Sequence, residues 1–398
     1  MSQDTKTLLE WADRYLMTNY ARAPLCLVRG EGARVWDTDG KEYLDFVGGI
    51  AVDALGHSHP KIVGAIREQA TALLHVSNLY QIPSQIHLAK LLVEHSFADR
   101  AFFCNSGTEA NEAAIKLARK HATDTGSSDR TDIITMRGAF HGRTMGALSA
   151  TPNEKYQHGF HPLLPGFKYV PFGDLTAVER AMDGRTAAIL VEPIQGEGGV
   201  NVAPDGYLAG LRRLCDEHGA LLIFDEVQTG MGRTGRLWAH EHWGVAPDVM
   251  TLAKALASGI PIGAMVAKEF CARAIVPGSH GTTFGGNPFA TTVGVATFTT
   301  MLDEKLPERA GRLGGYLMDR LRSIGLPAIK EVRGKGLLVG VDLDRPANAV
   351  VTACREQGLL VLTAGDAIVR MTPPLVVEEA DVDRAVEIVR TVLTRSAP

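Results

Sequence analysis

This sequence has no long hydrophobic run, no paired-cysteine motif and no excess of one charge, and each absence removes a class of protein. No stretch of roughly 18 apolar residues occurs, so no helix is expected to span a membrane. The opening MSQDTKTLLEW lacks a basic segment followed by an apolar one, so no signal peptide is expected. The five cysteines (Cys26, Cys104, Cys215, Cys271, Cys354) are scattered without a CxxC pair, and are expected as buried or free thiols in a reducing cytoplasm. A net charge of -4 leaves no basic footprint for nucleic acid or for an anionic membrane surface. No GxGxxG follows an early strand and no GxxxxGK[ST] is present, which argues against a nucleotide-binding or dinucleotide-binding protein. No carboxylate or cysteine completes a metal site around His57-Ser58-His59, so it is read as loop or core and no metal is expected. There is no internal repeat, low-complexity tract or flexible linker.

What is there reads as a globular chain, 45% hydrophobic and 22% charged. At 398 residues it is long for one core, so a large and a small domain are expected. Through the middle, strand-like runs alternate with amphipathic stretches. AFFC (101–104) precedes a helix from about Thr108 to His121, and DIITM (132–136) precedes the loop RGAFHGRT. AAILVEP (187–193) precedes a Gly-rich loop and a helix near 206–218, and ALLIFDE (220–226) and DVMTLAK (248–254) close the series. The alternation predicts an α/β fold with a mostly parallel sheet flanked by helices, and ligands bind such sheets at the carboxyl ends of the strands. After about Asn287 a long helix leads into a smaller α+β lobe. Near the start, Asp39-Gly40 signals a hairpin turn in a stretch expected to pack beside that lobe. The expected division is 1–50 with the small domain, 51–287 as the large domain and 288–398 as the C-terminal small domain.

Four places carry chemistry. Ser106-Gly107-Thr108 opens a helix after a strand; free N–H groups, the positive end of the dipole and a hydroxyl make a phosphate cup, although Ser106 with Glu109 also reads as a plain capping box. Asp225, ending the apolar strand LLIFD, would want a cationic partner such as a pyridinium nitrogen; taken alone it reads more readily as a helix cap or a metal carboxylate. Lys254 sits among small apolar residues, where lost hydration eases deprotonation and a neutral amine can attack an aldehyde; the alternative is a buried stem with a snorkelling head. Phe140 and Arg143, in AFHGRT, offer a ring to stack on a flat ligand and a fork for a carboxylate. HGTTFGGNP (280–288) is a further Gly-rich loop with hydroxyls suited to phosphate, or simply a turn. Glu192 is read as structural, and Trp36, Trp238 and Trp243 as packing residues.

The blocks NSGTEAN, AFHGRT, VEPIQGEGGV, FDEVQTGMGRTG, LAKAL, HGTTFGGNP and VRMTPPL, in this order from Tyr20 to about Ala385, resemble the class III, ornithine-type aminotransferases. The resemblance implies fold type I of the pyridoxal 5'-phosphate enzymes, a large domain plus a smaller α+β domain, and a homodimer with sites at the interface. It implies Lys254 as the lysine that holds the cofactor and Asp225 as the carboxylate on its ring nitrogen. Gln228 would lie near the ring hydroxyl, Phe140 would stack on the ring, and Ser106, Gly107 and Thr108 would take the phosphate. Thr283 would reach the phosphate of the neighbouring subunit's cofactor. On the substrate side it implies Arg143 for one carboxylate and Arg370 for the α-carboxylate of glutamate. Glu197 would be a mobile carboxylate that covers Arg370 between half-reactions, and Tyr20 a contact near the N-terminus.

The reaction implied is ping-pong exchange of the terminal amine of N-acetylornithine with 2-oxoglutarate, in arginine biosynthesis. Ile50 stands where ornithine-specific members carry a tyrosine, so a donor with an acylated or absent α-amine is favoured. Succinylated donors, ornithine and 4-aminobutyrate remain alternatives, as does a mutase or decarboxylase on the same fold. The last fits poorly with the presence of Arg143, Arg370 and Glu197 together. Asp53 replaces a neutral residue in this loop and is expected to be solvated.

Overall fold

The structure, a computed structural model, describes residues 4–395. Its centre is a seven-stranded sheet made of β1 (Arg100–Cys104), β2 (Asp132–Met136), β3 (Phe167–Val170), β4 (Thr186–Val191), β5 (Leu221–Asp225), β6 (Val249–Leu252) and β7 (Gly263–Ala267), in the order β1-β7-β6-β5-β4-β2-β3. The pairs β6–β5, β5–β4, β4–β2 and β2–β3 are parallel. Only β7 runs the other way, antiparallel to both β6 and β1. The reversal brings the start of β7 to the edge where the other strands end, with Gly263 opposite Cys104.

The strands are apolar throughout because both faces are covered. Successive residues alternate between two cores. Ile133, Ala188, Leu190, Leu221 and Ile223 pack under helix α1 (Gly107–Asp124) with Ala113, Ala114, Leu117 and Ala118. Ile134, Ile189, Val191, Leu222 and Phe224 pack on the other side against Leu208, Leu211 and Leu214 of helix α2 (Tyr207–His218). Phe224 is fully buried and contributes about 2–3 kcal/mol; a charge there would have no partner.

Helix α3 (Pro288–Asp303), capped by the Asn287 side chain on Ala290 N, leads to the C-terminal lobe. That lobe holds an antiparallel sheet in the order Ile329–Lys335, β8 (Leu338–Leu343), β9 (Ile368–Met371), Leu362–Ala364. Near the N-terminus, strands Arg34–Asp37 and Glu42–Asp45 form the hairpin around Gly40, which takes φ 80°. Glu42–Asp45 also pairs, in parallel, with Leu359–Leu360, so the N-terminal stretch packs on the C-terminal lobe. The two lobes lock where buried Arg233 donates to Leu337 O and Pro373 O. All five cysteines are unpaired. Among the described residues no helix is long and apolar enough to cross a membrane, and no group of side chains is placed to hold a metal.

Candidate active site

At the carboxyl edge of the sheet lies a cavity of about 460 Å³, lined by Ser106, Gly107, Thr108, Phe140, Arg143, Asp225, Gln228 and Lys254 among others. Eight of the residues singled out from sequence therefore meet in one place.

Its floor is Asp225. The carboxylate is buried, and Oδ2 accepts from Asn111 Nδ2 at 2.7 Å and lies 2.8 Å from His141 Nδ1. Oδ1 accepts from Val227 N at 3.0 Å. Asn111 is itself held, donating to His141 O and accepting from Thr251 Oγ1. A buried carboxylate needs such donors, and they fix its direction as well as its charge. Among the described residues, buried His141 Nε2 has no hydrogen-bond partner.

Lys254 follows β6, the strand beside Asp225, with Asp225 opposite Thr251 in register. It starts a 3-10 turn, Lys254–Ala257, with φ 46°, a left-handed conformation that a non-glycine residue holds at a cost. Burial pushes its ammonium down to about 8, opposed by Glu197 and furthered by Arg370. A fraction of neutral amine is thus present near neutrality, as attack on an aldehyde requires.

The opposite wall is the start of α1. Ser106 caps it by accepting from Glu109 N at 3.3 Å, while Glu109 Oε2 accepts from Asn105 N at 2.5 Å. The cap leaves room for an anion: the first N–H groups, on Gly107 and Thr108, have no preceding turn to bond, and both residues line the cavity. Glycine is needed at Gly107, where a Cβ would stand 2.7 Å from Val227 Cγ1. It is needed again at Gly142 (φ 135°), where a Cβ would meet Thr108 Oγ1 at 2.2 Å.

Arg370, on β9, is 2% exposed. Its Nη1 donates to Glu197 Oε1 at 2.5 Å and to Gln228 Oε1 at 3.1 Å, and Gln228 Nε2 reaches Glu197 Oε1 at 3.4 Å. Burial alone would push the Glu197 carboxyl up; the charge and hydrogen bond of Arg370 outweigh it and hold the carboxyl below its ordinary value. Through Gln228 this pair adjoins the cavity.

Two predicted residues lie elsewhere. Tyr20 is exposed and lines a separate groove with Asp53 and His57, and Thr283 is exposed on the loop before α3. Ile50 sits in the turn Gly48–Ala51, whose four residues all have positive φ; Asp45 Oδ1 pins it by accepting from Val47 N and Gly48 N. Asp53 is half-buried rather than freely solvated as expected. Its carboxylate is wedged between the Gly49 and Gly259 turns, 3.9 Å from His57 Nδ1, and burial raises its pKa.

Sequence reasoning missed Asn111 and His141 and took Glu192 as merely structural. Asn111 had left a signal, a polar residue on the apolar face of α1 formed by Ala110, Ala113, Ala114 and Leu117. Glu192 lines the cavity, accepts from Phe140 N and Gly196 N, and is pushed up to about 7 by burial.

A ligand with an aldehyde, a basic ring nitrogen, a flat ring and a phosphate would find a counterpart for each: Lys254, Asp225, Phe140 and the start of α1. The family model described as aminotransferase class-III matches residues 15–393. An acetylornithine aminotransferase of Myxococcus xanthus is 51% identical, over 95% of this chain and 96% of that one. One of Methanocaldococcus jannaschii is 49% identical over 99% of both. Among solved structures, the ornithine aminotransferase of Toxoplasma gondii ME49 superposes with a TM-score of 0.96 at 37% identity, covering 99% of this chain and 96% of that one.

Proposed function

Because the chain belongs to the class-III aminotransferases, which are pyridoxal-phosphate-dependent transaminases, we propose that it exchanges the terminal amine of N2-acetyl-L-ornithine with 2-oxoglutarate. The products are N-acetyl-L-glutamate 5-semialdehyde and L-glutamate, in arginine biosynthesis. The observation that carries the reading is Lys254 and Asp225 leaving adjacent parallel strands into a cavity that the start of α1 also enters. Identity near 50% with acetylornithine aminotransferases supports the donor.

When bound, pyridoxal phosphate supplies an aldehyde that accepts the amino group and a ring that withdraws electrons from the neighbouring carbon. Asp225, oriented by Asn111 and His141, would hold the ring nitrogen and favour its protonated form. Gly107 and Thr108 N–H groups, with Ser106, would take its phosphate, Phe140 would face its ring and Gln228 would serve its hydroxyl. Lys254 would hold the cofactor, and its free amine, with a pKa of about 8, would be suited to carry a proton between carbon centres. Arg143 binds a substrate carboxylate and Arg370 the α-carboxylate of glutamate, which displaces Glu197. When the other substrate is bound, Glu197 returns to Arg370, since a buried arginine left alone is costly.

Ile50 offers no hydrogen bond to a free α-amine, which favours the acylated donor over ornithine. Tyr20 would join the substrate site from the N-terminal stretch. Leu79, Tyr80 and Phe284 stand exposed near Thr283, an apolar patch that supports a homodimer in which Thr283 meets the partner's cofactor. The division into 1–50, 51–287 and 288–398 and a cytoplasmic location complete the reading. Glutamate formation from 2-oxoglutarate, with N-acetylornithine and ornithine compared as donors, tests it. Faster turnover of ornithine would overturn the donor, and no glutamate from any donor would point to a mutase or decarboxylase.

A further inference from the structure

Arg143 projects into the cavity from the loop after β2 and, among the described residues, makes no ion pair and no hydrogen bond through its guanidinium. What it touches is aromatic. Its guanidinium carbon lies 3.7 Å from the centre of the Tyr156 ring and 5.5 Å from that of Phe140. The two rings meet edge to face, 6.1 Å apart at 89°. Tyr156 belongs to the short helix Glu154–Gln157, which is anchored at both ends. The Asn153 side chain accepts from Lys155 N, and buried Gln157 donates to Leu148 O and Thr151 O.

A guanidinium held by its face keeps its in-plane N–H fork free, and that fork is the part that takes a carboxylate bidentately. A carboxylate neighbour would instead occupy the fork. We propose that Tyr156 is the positioning residue for Arg143, holding it by stacking so that substrate carboxylates bind a preset fork. This rests on Arg143 being the carboxylate-binding residue. Its side chain is long and otherwise unrestrained, so loss of the ring costs carboxylate affinity and not the chemistry at Lys254.

The test is calorimetric binding of glutarate, an unreactive dicarboxylate, to holoenzyme carrying Tyr156→Phe, Tyr156→Leu or Arg143→Gln, with steady-state kinetics alongside. Tyr156→Leu is expected to weaken glutarate about 3- to 10-fold and to raise KM for N-acetylornithine similarly, with kcat within about twofold. Tyr156→Phe, which keeps the face, should stay within about twofold of the parent. For pentylamine, an amine without a carboxylate, kcat/KM should be unchanged in both variants. Equal losses in Tyr156→Phe and Tyr156→Leu, or an equal loss with pentylamine, would overturn the stacking role. If Arg143→Gln weakens glutarate and Tyr156→Leu does not, the inference fails while the carboxylate reading stands. If Arg143→Gln binds glutarate as the parent does, the carboxylate reading itself fails.

Discussion

His141 Nδ1 lies 2.8 Å from Asp225 Oδ2, and both side chains are sealed from solvent. The imidazole fixes the direction of the carboxylate that faces the cavity. His141→Ala should therefore lower kcat about 10- to 100-fold without unfolding the protein. His141→Asn, whose amide can donate from nearly the same point, should recover much of the loss. Asp225→Asn should be worse, about 100- to 1,000-fold, because the charge itself is gone. Steady-state kcat and the rate of cofactor loss on dialysis check the series.

Lys254 is the only route to covalent capture of the cofactor in this reading, so Lys254→Ala should abolish turnover. In the parent apoprotein the amine must lose its proton first, and burial sets that near pH 8. The rate of reconstitution with pyridoxal phosphate should rise with pH through about 8 and then level. A profile still climbing toward the ordinary lysine range, about 10.4, would show the amine to be solvated.

Glu197 and Arg370 should separate the two half-reactions. Glu197→Gln leaves the buried guanidinium uncovered when the acylated donor binds but changes little when glutamate covers it. The ratio of glutamate to N-acetylornithine half-reaction rates should rise at least about tenfold. Single-turnover spectra of each half-reaction measure it, and an unchanged ratio would remove Glu197 from any gating role.

His57 gives a pH signature to stability. Its hydrogen bond to Asp45 raises its pKa, burial works against this, and Asp53 adds to the rise. A histidine raised on folding stabilises fully below its unfolded pKa, about 6.5, and loses that contribution as pH climbs through the folded value. The urea midpoint should fall between pH 6 and pH 9, and His57→Gln should flatten that part of the profile. An unchanged slope in the variant would assign the effect elsewhere.

Much of the site was legible because covalent order already places it. Asp225 and Lys254 close apolar strands, and strands that alternate with helices are parallel, so both side chains had to emerge at one edge. The reversal of β7 was not legible: Gly263–Ala267 is as apolar as the mutually parallel strands of the sheet, and direction leaves no mark in such a run. Tyr156 was invisible for another reason. Its value lies in the position of Arg143, thirteen residues earlier across the short helix Met145–Ser149 and the links on either side of it, and no periodicity relates them. Asp53 was misread because exposure was inferred from residue type, whereas two glycine turns close over it.

Glu197 hangs from the turn of a minimal hairpin, Ile194–Gln195 with Asn201–Val202, and Gln228 touches it and Arg370 at once. Uncovering the arginine thus asks for parting one ion pair and rotating about a few carbon–carbon bonds, with no hinge and no lobe in motion, a change on a scale of roughly microseconds or faster even if the turn itself shifts. Typical turnover, about ten per second, is slower by many orders of magnitude. Each arriving molecule meets a Glu197 whose position no longer depends on the shape of the previous guest, so alternating between two unlike substrates should add no lag.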